Sequence, residues 1–138
     1  MSLQEYTLNQ PLGRYEKNTL IFGNQVRIAF DEQETALFDL EEYTLQIENR
    51  LDWVKANKEL LDAELFALYP GYLEDEDDWE ENPISEQEFV NRIQIQAINF
   101  FQDLSFQIFY NDGDTFWGHS IIIEVNENCD IDQTTIWG

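Results

Sequence analysis

The only histidine of the chain, His119, lies in a segment that also carries two carboxylates: Tyr110-Asn111-Asp112-Gly113-Asp114-Thr115-Phe116-Trp117-Gly118-His119-Ser120. Two glycines permit tight backbone geometry there, and loops held by a rigid sheet are favoured places for sites. Three chemistries fit these residue types. Asp112, Asp114 and His119 are a candidate ligand set for a hard divalent cation, because Asp-x-Asp offers two carboxylates at short spacing. The rest of a calcium-loop pattern, including its distal Glu, is absent. One His and one Cys in the whole chain leave no zinc motif. Alternatively, His119 with a carboxylate neighbour could act as a general acid–base. No nucleophile motif or phosphate-cradling glycine loop accompanies it, so no catalytic residue is assigned. The third reading is structural: Asp112 and Asp114 cap a turn, Phe116 and Trp117 fill the edge of the core, and His119 bonds the main chain. The candidate site loop is therefore Asp112, Asp114, Trp117 and His119.

A second candidate is Glu74-Asp75-Glu76-Asp77-Asp78-Trp79-Glu80-Glu81, in which seven of eight residues are acidic. Such a run is either a solvated loop or a docking strip for a basic protein, with Trp79 as an apolar anchor. A strip of this kind steers a cationic partner and fixes its position. Unorganised carboxylates also bind divalent cations weakly. No other cofactor is expected.

Both candidates need elements to hold them. Thr19–Phe22 and Gln25–Phe30 flank Gly23-Asn24, a two-residue hairpin signal. Val26, Ile28 and Phe30 alternate with Arg27 and Ala29 as in a half-buried strand. Tyr6 and Leu8, then Leu12 and Tyr15, suggest one or two short strands before them, interrupted by Pro11 and Gly13. The period then changes. Asp31-Glu32-Gln33-Glu34 can form a capping box, and Leu37, Leu40, Thr44, Ile47, Leu51 and Val54 make one helical stripe. Leu61, Leu65 and Leu68 extend the stripe past Lys58. One helix from Glu32 to Tyr69 would run about 55 Å, longer than a compact domain of this size is wide. The stripe therefore predicts two helices with a break near Ala56-Asn57, the second ended by Pro70-Gly71. After the acidic run, Ser85-Glu86-Gln87-Glu88 repeats the capping pattern and opens a short helix with Phe89 and Val90.

The remainder predicts an antiparallel meander: Ile95–Gln102, Ser105–Tyr110, Ser120–Val125 and Ile131–Trp137, with turns at Asp103 and at Asn111–Asp114. Phe106, Ile108 and Tyr110 share one face, as do Ile121, Ile123 and Val125. Strands, then helices, then strands give an α+β order. The expected architecture over residues 1–138 is one α+β domain. Its antiparallel sheet is built from an N-terminal hairpin region and a C-terminal meander, with two to three helices packed on one face.

Bulk composition narrows the partners. The chain has 138 residues and 29 Asp+Glu against 7 Lys+Arg, a formal net charge of −22. That field repels phosphate backbones and anionic lipid surfaces, so neither nucleic acid nor membrane is expected as a partner. A basic protein or a cation fits the sign, and a solvated acidic surface that serves only solubility fits it too. Mimicry of nucleic acid would need two ordered rows of carboxylates. The one cysteine, Cys129, has no internal disulfide partner, which suits a reducing compartment. Neighbouring carboxylates discourage its thiolate. Met1–Gln10 lacks the pattern of a signal peptide, and no apolar run approaches the ~20 residues of a membrane span. The expected location is cytoplasmic, and the oligomeric state is not readable.

Tyr110-Asn111-Asp112-Gly113-Asp114 followed by Phe116-Trp117-Gly118-His119-Ser120-Ile121-Ile122 resembles the signature of an uncharacterised bacterial family, domain of unknown function 2262. The likeness extends upstream through the acidic stretch to Ser85-Glu86-Gln87-Glu88-Phe89 and Ile98. It covers the C-terminal half well and the N-terminal half loosely. One departure is Asn126-Glu127-Asn128-Cys129-Asp130, where the family pattern suggests a turn richer in glycine. The resemblance implies a bacterial cytoplasmic protein but neither an activity nor a ligand. The leading expectation is a non-enzymatic binding module that meets a basic protein through its acidic surface, an immunity-type protein masking a toxin being one example. The alternative is a small metal-dependent hydrolase built on the 112–119 loop.

Overall fold

The computed structural model describes residues 6–67, 86–111 and 120–137. Its strands are β1 (Thr7–Asn9), β2 (Arg14–Ile21), β3 (Asn24–Asp31), β4 (Gln94–Phe100), β5 (Phe106–Asn111), β6 (Ser120–Val125) and β7 (Ile131–Trp137). Between β3 and β4 the described helices are α1 (Leu40–Ala56), α2 (Lys58–Phe66) and α3 (Glu86–Arg92).

The strands form one seven-stranded sheet in chain order, β1 to β7. Five adjacent pairs are antiparallel. The central pair, β3 and β4, is parallel, with Arg27 opposite Ala97 and Phe30 opposite Phe100. This corrects the expected antiparallel sheet: the sheet is mixed. The physical reason lies in the connection. A long helical crossover carries the chain back to the end of the sheet where β3 begins, and such crossovers join parallel strands, whereas short turns join antiparallel ones. Reading the hairpin region and the meander as separate units leaves their junction undetermined, and the junction is the parallel pair.

Local details also differ from expectation. The hairpin turn centres on Phe22-Gly23, with φ of 53° and 79°, and Ile21 pairs with Asn24. Both central residues of this turn need positive φ, so the glycine takes its second position. Residues 14–21 form one strand rather than two fragments. No helix begins at Glu32. Asp31 does accept from the Glu34 amide at 2.9 Å, but this bond closes a turn. The helix starts eight residues later, where the Asp39 carboxylate accepts from the amides of Glu41 and Glu42 at 3.1 and 3.4 Å. The expected break falls at Asn57, between α1 and α2.

The helices bury their apolar stripes against one face of the sheet. Tyr43, Ile47, Leu51 and Val54 of α1, Leu61 and Leu65 of α2 and Phe89 of α3 join Val26, Ile28, Phe30, Ile98, Ile108, Ile121 and Ile123 in one core. Phe30 sits among three rings, those of Tyr6, Tyr15 and Tyr43, each with its centre 5.1 to 5.2 Å away. Trp53 meets Phe106 edge-on at 6.1 Å. On the same face Lys17 of β2 is largely enclosed, pairs with Glu48 of α1 and lies 5.0 Å above the Tyr6 ring. The opposite face carries mostly polar side chains. Ala29, Ala97 and Ile122 are buried there without belonging to the core.

Candidate functional site

Neither sequence-derived candidate falls on described residues. Glu74–Glu81 lies within 68–85, and Asp112, Asp114, Trp117 and His119 lie within 112–119. The strands flanking the second segment are described: Asn111 ends β5 and pairs with Ser120, which opens β6. Among the described residues no group of three or more His, Cys, Asp and Glu side chains could hold a metal ion.

The described surface that best combines charge and apolar contact precedes and opens α1. It begins at the Asp31 turn. The Thr35 hydroxyl is buried and donates to the Asp31 carbonyl at 2.8 Å. The Ala36 amide donates to Gln33, and the Phe38 amide to Thr35 at 3.0 Å. These bonds tie residues 32–38 into tight turns instead of a helix. A turn cannot carry Leu37 onto the stripe of α1, and Leu37 is 99% exposed. Phe38 is 40% exposed, with its ring 5.5 Å from that of Tyr43. On α1 itself, Leu45 stands on the solvent side and is 51% exposed.

Carboxylates surround these three side chains in sequence. Glu34, Asp39, Glu41 and Glu42 are all exposed. None of them forms an ion pair with a described residue; pairs among the described residues include Arg14–Glu16, Lys17–Glu48, Lys58–Asp62 and Arg92–Glu88. Asp39, Glu41 and Glu42 also stand at the positive end of the α1 dipole, which favours anions there. Beneath the patch, the Tyr43 hydroxyl donates to the Phe101 carbonyl at 2.6 Å. Burial, with the charges of Glu34 and Asp103 adding to it, pushes the Tyr43 hydroxyl well above the usual tyrosine range. It stays a protonated donor, and the segment beneath the patch stays tied to the β4–β5 turn.

Sequence reading missed this patch because Leu37 fits the stripe of α1 by spacing alone. A signal was available. Asp39-Leu40-Glu41-Glu42 is a second capping-box pattern, and starting the helix there leaves Leu37 and Phe38 outside it.

The family model for uncharacterised proteins conserved in bacteria, domain of unknown function 2262, matches residues 2–136. No curated protein matches the chain. No solved structure matches it. The chain belongs to that uncharacterised bacterial family.

Proposed function

We propose that this member of the family is a non-enzymatic binding module that takes a basic protein onto the surface opening α1. One observation carries the reading: Leu37, Phe38 and Leu45 are exposed beside four exposed carboxylates, Glu34, Asp39, Glu41 and Glu42, none paired with a described cation. Isolated exposed leucines are ordinary, but apolar side chains rimmed by one sign of charge form the anatomy of a contact surface. The −22 charge attracts a cationic partner over about a Debye length and raises the encounter rate. The apolar side chains then hold it once water is excluded. The run Glu74–Glu81 with Trp79 adds seven carboxylates to the same sequence-level argument. The same charge argues against nucleic acid and anionic lipid as partners. The unpaired Cys129 supports a reducing, cytoplasmic setting.

The test is capture from a native lysate at low and high salt, with the wild-type chain, a Leu37→Ser/Phe38→Ser variant and a Glu41→Gln/Glu42→Gln variant. The expected result is a basic protein retained by the wild type, released by salt and lost from both variants. A partner held equally by both variants would overturn this surface, and capture of no salt-sensitive partner would overturn the function.

A further inference from the structure

We propose that β7 is a receiving edge: an extended segment of a basic protein adds to it as an eighth strand, with an apolar side chain beside Ile136 and a cationic one toward Asp132.

The sheet ends differently on its two sides. Its strands run in chain order, so β1 and β7 lie outermost. An outer strand turns the N–H and C=O groups of alternate residues away from its neighbour, and these can template a further strand. Proteins blunt such edges with short strands, Lys or Pro, inward-pointing charges and bulges. The β1 side shows two of these devices. β1 is three residues long and covers β2 only as far as Glu16. At the next position Lys17 points inward, opposite Ile28 of the core, and is largely enclosed against Glu48.

β7 is seven residues long and contains no Lys, Arg, Pro or Gly. Its one irregularity leaves Asp132 as the extra residue, at the end next to the β6–β7 turn. From Gln133 to Trp137 the pairing with β6 is regular. Those five residues are uncharged, and Thr, Ile and Trp suit strands. Among the described strands the β7 main chain pairs with β6 alone. Alternation assigns the side chains. Ile136 and Thr134 stand opposite Ile121 and Ile123 of the core, so they face the helix side. Ile121 is fully buried, whereas Ile136 is 38% exposed. The apolar face therefore runs out to the edge and leaves a side chain for one more strand to cover.

Charge selects the occupant. No Lys or Arg follows Arg92 in the chain. Glu127, Asp130 and Asp132 are exposed at the turn end of β7. A second copy would bring another net charge of −22, and that repulsion opposes pairing β7 with itself. A cationic segment meets the edge with the opposite sign. Main-chain bonds then supply the affinity of an added strand, and its alternate side chains supply selectivity. The inference shares the basic partner of the proposed function but uses a different surface, so each can fail separately.

The blocked heptapeptide Lys-Val-Thr-Val-Thr-Val-Lys is the probe, titrated into the full chain and followed by backbone amide shifts and hydrogen exchange. The expected result is saturable shifts along Ile131–Trp137 and slower exchange at alternate β7 amides. Ile136→Lys should weaken binding by about tenfold or more, and Asp132→Asn by less. Replacing both peptide lysines with Glu, or its third and fourth residues with Pro, should each cost about tenfold or more as well. The wild-type amide spectrum of the Ile136→Lys protein away from β7 confirms that it folds. Absence of saturable shifts, undiminished binding by Ile136→Lys, or equal binding of the Glu or Pro peptide would each overturn the proposal. Shifts confined to Leu37, Phe38 and Leu45 would overturn the edge while supporting the α1 surface. A dimer in sedimentation that Ile136→Lys dissolves would assign the edge to a second copy and overturn it too.

Discussion

The Tyr43 hydroxyl on α1 reaches the main-chain carbonyl of Phe101, fifty-eight residues away at the end of β4, at 2.6 Å. This bond ties the first helix to the β4–β5 turn, while the ring of the same residue packs edge-on against Phe30. Tyr43→Phe keeps the ring and removes the bond. The expected loss is about 1 kcal/mol, the net worth of a typical intramolecular hydrogen bond. It should show as a lower urea midpoint at unchanged slope. The alkaline limb carries a sign as well. Because burial raises the folded hydroxyl above the ordinary tyrosine value, its contribution is complete below that ordinary value and is lost as pH rises toward the folded one. The Phe variant should lose that part of the alkaline decline, and identical alkaline curves would contradict the assignment.

Asp39 caps α1 by accepting from the Glu41 and Glu42 amides. Asp39→Ala removes the cap and one favourable charge at the helix start, for an expected loss of about 1 kcal/mol. Asp39→Asn keeps the acceptor and should recover most of it. If both variants are equally destabilised, the charge rather than the cap carries the effect. A cap also keeps Leu37 and Phe38 outside the helix, so Asp39→Ala should weaken partner capture more than its stability loss alone explains.

Cys129 sits in the β6–β7 turn at φ 64°, a left-handed conformation that favours glycine. The Asn126 side chain braces that turn, accepting from the Asn128 and Asp130 amides at 2.9 and 3.0 Å. Partial burial raises the thiol above its ordinary value, with Arg50 opposing and Asp130 adding to the rise. Thiolate is the reacting species. Iodoacetamide should therefore alkylate the folded protein at pH 8 more slowly than the urea-unfolded chain, and the folded rate should climb at higher pH than the unfolded rate. Equal rates at pH 8 would contradict the raised thiol.

Much of the local structure was legible because alternation reports burial directly. Phe106, Ile108 and Tyr110 were readable as one buried face, and Ser120–Val125 and Ile131–Trp137 have the expected bounds. Chain geometry located the helix break at Asn57, since an unbroken helix would outgrow the core. Leu37 shows the limit: its spacing matched the α1 stripe, and the hydrogen bonds within residues 33–38 and the Asp39 cap place it outside the helix. The candidate loop and the acidic run were visible as composition, and both lie outside the described residues.

Periodicity states which side of an element seeks apolar surroundings, so residue order alone indicated most of the elements, most of their inward faces and the excess of negative charge. It carries no record of which strand lies beside which. That choice belongs to the helical crossover, which sets β3 parallel to β4 and so brings Arg27 and Ala29 against Ala97 and Asn99. A surface built from residues so distant in the chain exists only once the backbone hydrogen bonds of that central pair have formed.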